Sequence, residues 1–167
     1  MREHMAMKLQ TNEMIRRMRE AGLTLALAES ITCGLAAHKL SSCVGVSDVL
    51  KGSIVCYMPE AKSEVLGISQ EMMKKYSCES KQVTEAMARY LSKVITADLY
   101  ASVTGLASSG GSETKEKPVG TVFYCVVHNN KVFHERKVYR GTPLKIKEQA
   151  AKGIYEFILS KLDDLLK

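Results

Sequence analysis

Ten residues, Leu25-Ala26-Leu27-Ala28-Glu29-Ser30-Ile31-Thr32-Cys33-Gly34, constrain the fold of this chain more than any other stretch. Small and apolar side chains give way abruptly to Glu-Ser-x-Thr-x-Gly, and Leu35, Ala36 and Leu40 then resume an apolar stripe at helical spacing. The pattern predicts a buried strand, a tight polar turn and a helix N-terminus. A serine at such a turn has two readings. Unpaired backbone N–H groups and the positive end of a helix dipole suit an anionic group, or an oxyanion formed on an attacked carbonyl. Equally, Ser30 and Thr32 would serve simply to cap the helix.

The remaining segments extend this strand–helix alternation. Leu9, Met14, Ile15 and Met18 mark one face of an opening helix ended by Gly22, and Leu23 to Ala28 is the first strand. A helix from Cys33 to about Ser41, a turn at Gly45 to Ser47 and a buried strand from Ser53 to Tyr57 follow. Two short helices are expected at Glu60 to Leu66 and Ser69 to Tyr76, the second with Met72 and Met73 inward. Ser80 caps a longer helix whose apolar face is Val83, Met87, Tyr90, Leu91 and Val94. Leu99 to Val103 reads as a strand and Thr104 to Lys117 as a Gly/Ser-rich loop. Val119 to Val127 and Lys131 to Val138 pair as a hairpin turned at Asn129-Asn130. Leu144 to Leu166 closes the chain as a helix with Ile154, Phe157, Ile158, Leu162, Leu165 and Leu166 inward. The expected fold is α/β: one three-layer α/β/α domain over residues 1–167 with a mixed, mainly parallel sheet, and residues 1–8 loosely held. Ligands of such sheets bind beyond the carboxyl ends of strands. Glu29 to Gly34, Tyr57 to Lys62 and Thr104 to Gly111 all leave strand ends.

Composition narrows the function. With 46% hydrophobic and 25% charged residues the 167-residue chain suits one globular core. It has no apolar run of membrane-spanning length, and residues 1–8 lack a signal peptide's apolar segment, so a cytoplasmic protein is expected. The net charge of +6 is spread over scattered lysines and arginines without interleaved aromatics, so nucleic acid is not an expected partner. The five cysteines, Cys33, Cys43, Cys56, Cys78 and Cys125, have no metal-ligand spacing and read as reduced thiols.

For chemistry, Ser30 is the candidate nucleophile, and a serine hydroxyl needs a base. His4, His38, His128 and His134 are poorly placed to serve it, so a Ser-His-Asp triad is not expected. Lys62, at a helix start after the second strand, can be a base if burial lowers its pKa; otherwise it is a solvated surface lysine. The Tyr57 hydroxyl could relay or fix a proton. The loop Thr104 to Gly111 offers hydroxyls and N–H groups to a phosphate or carbonyl, or is merely flexible, and it matches neither a Walker A loop nor a dinucleotide fingerprint.

Four pieces carry a resemblance: Ala28-Glu29-Ser30-Ile31-Thr32-Cys33-Gly34, Tyr57-Met58-Pro59-Glu60-Ala61-Lys62, Thr104-Gly105-Leu106-Ala107-Ser108-Ser109, and Lys117-Pro118-Val119-Gly120-Thr121-Val122. In this order and at these separations they resemble the family of the C-terminal domain of the competence/damage-inducible protein CinA. That family includes stand-alone nicotinamide mononucleotide deamidases. The likeness runs from Leu9 onward, and the separate N-terminal domain of full-length members is expected to be absent. The resemblance implies an amidohydrolase that converts nicotinamide mononucleotide to nicotinate mononucleotide and ammonia. It implies Ser30 as nucleophile, Lys62 as base, Tyr57 as helper, and neither metal nor cofactor. It further implies a set of substrate-pocket residues: Glu29, Thr32, Cys33, Gly34, Thr104, Gly105, Ser108, Ser109, Gly110 and Arg140. Backbone N–H groups of Thr32 to Gly34 would hold the oxyanion. The expected partner is a pyridine nucleotide, and the chain is expected to form a homo-oligomer.

Several positions depart from the family's pattern. Cys33 and Pro59 replace a glycine and an asparagine, and Ser108-Ser109 replaces Gly-Pro. Gly141-Thr142-Pro143 replaces a Gly-Asp-Arg whose arginine suits a phosphate, leaving Arg140 or Lys145 as candidate substitutes. The alternative function is a catalytically impaired member that binds a nucleotide or another protein.

Overall fold

The computed structural model describes residues 2–167, with side chains from Leu9 onward. The chain begins with α1 (Arg2–Glu20), so the backbone of residues 2–8 is helical. Met1 and the side chains of residues 2–8, on which the expectation of a loosely held N-terminus falls, lie outside the described residues. The order continues β1 (Leu25–Glu29), α2 (Leu35–Ser41), a 3₁₀ turn at Val46–Asp48, β2 (Leu50–Val55), α3 (Pro59–Leu66), α4 (Gln70–Tyr76), α5 (Lys81–Leu91), β3 (Leu99–Gly105), β4 (Thr121–His128), β5 (Lys131–Val138) and α6 (Pro143–Leu165).

The five strands form one mixed sheet in the order β2-β1-β3-β4-β5. β1 runs parallel to both β2 and β3, and β4 and β5 add antiparallel to β3. Period-two alternation sends Leu25 and Leu27 of β1, Leu99, Ala101 and Val103 of β3, and Val122, Tyr124 and Val126 of β4 into one core with α1, α2 and α6. Ala26 and Ala28 face the other way, into a second core with Leu66, Met73, Val83, Met87 and Leu91. The fold is therefore three-layered, with α1, α2 and α6 on one face and α3, α4 and α5 on the other. The chain leaves β1 through α2 on the first face to reach β2, then returns through α3–α5 on the second face to β3, beyond β1. The connections leaving the neighbouring strands β1 and β2 part to opposite faces, and the crevice beyond their carboxyl ends is where such sheets place their ligands.

Several sequence expectations shift. β2 runs three residues earlier than expected and ends at Val55, opposite Glu29, because β1 offers no partner beyond that residue except the Glu29 carbonyl, which takes the Cys56 N–H at 2.8 Å. α2 starts at Leu35 because Cys33 and Gly34 adopt left-handed φ values of 50° and 88°. Val94 lies outside α5 and is exposed, since the chain turns after Leu91. Leu166 caps α6 and is exposed. Leu9 is also exposed, off the α1 face carried by Met14, Ile15 and Met18. Among the described residues no helix is long and apolar enough to cross a membrane.

Candidate active site

The turn after β1 is held by a buried carboxylate. Glu29 is fully buried, and its two oxygens accept four hydrogen bonds: from Thr32 Oγ1 (2.7 Å) and the Ala36 N–H (3.0 Å), and from the Ala37 N–H (2.9 Å) and Ser53 Oγ (2.8 Å). Two first-turn N–H groups of α2 thus find an anion at the helix N-terminus, where the dipole favours it. This clamp fixes the Ser30 main chain, whose N–H donates to Val103 O of the adjacent strand at 3.1 Å.

Lys62 approaches from α3. Pro59 stands at the first helical turn, where its missing N–H costs nothing and its fixed φ suits the helix. Three residues on, Lys62 is only 1% exposed. Its Nζ lies 3.1 Å from Ser30 Oγ, 2.8 Å from Cys56 O and 3.4 Å from Tyr57 O. An ammonium would donate to all three. A neutral amine would donate to the two carbonyls and leave its lone pair to accept the Ser30 hydroxyl proton. Burial pulls the Lys62 pKa below the ordinary lysine value, against the opposing influence of Cys78, Glu79 and Cys56. The arrangement is a serine hydroxyl in contact with an amine pushed toward its basic form, the requirement for a Ser/Lys nucleophile–base pair.

Ser30 opens onto a cavity of about 410 Å³, in the size range of small-ligand sites. Its walls come from the three strand exits: Ser30 and Ile31; Tyr57, Met58 and Pro59; and Gly105 to Gly111. Gly105 permits a close approach here, since a Cβ would fall 2.6 Å from Thr121 O and 2.9 Å from Ile31 Cδ1. A smaller cavity of about 320 Å³ lies beyond Pro59 between α3 and α4 and contains neither Ser30 nor Lys62.

The structure places Ser30, Gly105, Ser108, Ser109 and Gly110 in the lining of this cavity, with Lys62 buried in contact with Ser30 but outside the lining, and places other expected residues elsewhere. Glu29 and Thr32 are spent on the clamp and do not line it, so they support the site without facing a ligand. Thr104 is fully buried beneath, its hydroxyl 2.7 Å from Thr84 Oγ1. Cys33 and Gly34 shape the turn outside the lining, and the Cys33 N–H donates to Ser30 O at 3.1 Å, so it is not a free oxyanion donor. The N–H groups of Ile31, Thr32 and Gly34 make no hydrogen bond among the described residues, and of these three residues Ile31 alone lines the cavity. Tyr57 lines the mouth with a half-exposed ring and gives Lys62 its carbonyl; its hydroxyl bonds neither Lys62 nor Ser30. Arg140 is exposed outside the lining. None of the described histidine side chains lines the cavity, and that of His4 lies outside the described residues.

Three residues not singled out as site residues complete the surroundings. Lys147 lines the cavity from α6, its Nζ 5.2 Å from the centroid of the Tyr57 ring. It lies four residues after Pro143, on the same helical face one turn further in; that i, i+4 relation was the signal available in the sequence. Glu79 supplies a carboxylate to the same cavity. Lys117 fastens the loop wall to the segment that carries Glu79: its Nζ donates to Ser77 Oγ (2.7 Å), Ser112 Oγ (2.7 Å) and Glu79 O (3.1 Å). Ser77 is held there at φ 67° and ψ 156°, a conformation costing a non-glycine residue on the order of 1–3 kcal/mol.

The molecule is a three-layer α/β/α domain with a buried serine–lysine contact beyond the carboxyl ends of β1 and β2. The sequence model of the CinA C-terminal domain matches residues 8–162, and the chain belongs to that family. A putative competence-damage inducible protein of Bacillus mycoides is 34% identical over 154 residues, covering 90% of this chain and 36% of its own length. One from Clostridioides difficile is 33% identical over 146 residues, covering 87% and 35%. This chain thus spans about a third of these relatives' length. Among solved structures, the competence/damage inducible protein CihA of Agrobacterium tumefaciens superposes with a TM-score of 0.85 at 28% identity, over 92% of this chain and 94% of that one. A CinA superfamily protein of Klebsiella pneumoniae gives 0.88 at 23% identity, over 95% and 98%, and shares the fold.

Proposed function

We propose that this chain is an amidohydrolase that cleaves the carboxamide of a pyridine nucleotide, nicotinamide mononucleotide, by a Ser30/Lys62 mechanism. The observation that carries the reading is the 3.1 Å contact between the buried Lys62 Nζ and the Oγ of Ser30, which lines a ligand-sized cavity. Ser30 Oγ attacks the carboxamide carbon as its proton passes to the neutral Lys62 amine. The oxyanion forms beside the unengaged Ile31 N–H, the donor that follows a nucleophile at a strand-to-helix turn. Collapse breaks the C–N bond, and the Lys62 ammonium gives its proton to the departing NH₂ group, which leaves as ammonia. Water then attacks the Ser30 ester carbonyl as Lys62 takes its proton, and Lys62 returns that proton to Ser30 Oγ as the acyl–oxygen bond breaks and the carboxylate is released. Lys147 supplies the positive charge for the phosphate that the family's arginine would otherwise meet.

The test is ammonia release from nicotinamide mononucleotide by the purified protein, with Ser30→Ala as control. Stoichiometric ammonia and carboxylate that vanish in Ser30→Ala support the reading. If the folded wild-type protein releases none yet binds the nucleotide, the binding-module alternative takes its place.

A further inference from the structure

The proposed mechanism uses Ser30, Lys62 and Lys147 and leaves the cavity's carboxylate unassigned. Among the described lining residues, Glu79 is the single acidic side chain and Lys147 the single basic one, and no ion pair joins them. Glu79 is half-buried and firmly placed. Its Oε2 accepts from Ser112 Oγ, which in turn accepts from Lys117, and Lys117 also grips the Glu79 carbonyl. Oε1 has no hydrogen-bond partner among the described residues. Glu79 lines the same cavity as Ser30. A half-buried carboxylate without an ion-pair partner favours a ligand that brings a positive charge.

We infer that Glu79 is a specificity-determining residue that reads positive charge on the ring bearing the scissile carboxamide. Glu79 then separates the quaternised pyridinium ring of the proposed substrate from a neutral aromatic amide, while Lys147 meets the substrate's anionic group. This inference rests on the amidohydrolase reading for its choice of carboxamide. It also bears on product release. Hydrolysis turns a neutral carboxamide into a carboxylate beside Glu79, and the repulsion between the two anions favours product release.

Binding to the whole protein, measured by calorimetry, tests the inference without turnover. The probes are 1-methylnicotinamide, a quaternised ring without phosphate, and nicotinamide, its neutral counterpart. The wild-type protein is expected to bind the cation about tenfold more tightly, a ratio corresponding to about 1.4 kcal/mol. Glu79→Gln, which keeps an oxygen for Ser112 Oγ, should abolish that ratio, leave nicotinamide binding unchanged and tighten binding of nicotinate mononucleotide. Glu79→Asp, which keeps the charge, should retain a preference for the cation and controls for any loss of folding in the glutamine variant. Equal affinities for the two probes in the wild-type protein, or a Glu79→Gln effect of the same size on both, would overturn the inference. A wild-type protein that prefers the cation but releases no ammonia would instead remove the hydrolase reading and leave the charge-reading role of Glu79 standing.

Discussion

Replacing Glu29 by glutamine separates a residue that holds the site from one that touches the ligand. Each Glu29 oxygen accepts one backbone N–H and one hydroxyl: Ala36 N and Thr32 Oγ1 on one, Ala37 N and Ser53 Oγ on the other. In Glu29→Gln one oxygen remains and its two bonds survive. The new NH₂ faces the other pair. The hydroxyl of that pair can turn to accept from it, but the N–H of Ala36 or Ala37 cannot, and it is left facing a donor. An orphaned buried donor costs about 1–3 kcal/mol, and the lost anion at the α2 N-terminus adds about 0.3–1 kcal/mol. The expected loss is about 1.3–4 kcal/mol. For a domain of this size each kcal/mol lowers Tm by about 2–4 °C, so thermal unfolding should fall by about 3–16 °C. The assay is a reversible thermal melt followed by circular dichroism, with ligand affinity measured below the transition. A Tm within about 2 °C of wild type, accompanied by a large rise in Kd, would refute the clamp and return Glu29 to the ligand-contacting set.

Two further substitutions probe the cavity walls. Lys147→Met should raise KM for nicotinamide mononucleotide about tenfold with kcat little changed, the pattern of lost uniform binding; steady-state kinetics with an unchanged KM would place the phosphate elsewhere. Tyr57→Phe keeps the carbonyl that Lys62 uses and should leave kcat near wild type; a fall of about 100-fold or more in single-turnover rate would restore the phenol to the proton path.

The local grammar of the chain was legible where it is punctuated. Ser69 and Ser80 cap α4 and α5 as their positions suggest, accepting from the N–H of Met72 and Val83. The alternating strands and the hairpin at Asn129-Asn130 follow from pattern alone. The positions of Ser30 and Lys62 were legible through motif resemblance, and a serine with its base must meet, as they do; the route to that contact was not legible, because residues 32 apart are joined only through the β1–β2 register and the entry angle of α3. Three features were hidden for related reasons. Glu29 looks like a ligand-binding acid until the carboxylate is seen folded back on α2. The Tyr57 hydroxyl looks like the useful atom because sequence displays side chains, whereas the carbonyl carries the contact. Glu79 and Lys117 look like solvated charges, since the network joining them crosses from the α4–α5 turn to the loop after β3, a pairing that no local spacing encodes.

The central claim is that Lys62 acts as a neutral amine on Ser30, and the pH dependence of kcat/KM for ammonia release from nicotinamide mononucleotide tests it most directly. Burial lowers the Lys62 pKa in the folded protein from the ordinary value of 10.5, and only the deprotonated amine accepts the serine proton. Activity should therefore be low below the folded-state pKa, rise tenfold per pH unit as that value is approached, and level off before pH 10.5. Lys62→Arg, which keeps the positive charge but offers no usable base, should remove the rising limb together with the activity. A wild-type profile flat through this range, or a Lys62→Arg enzyme that turns over normally with the same profile, would contradict the account.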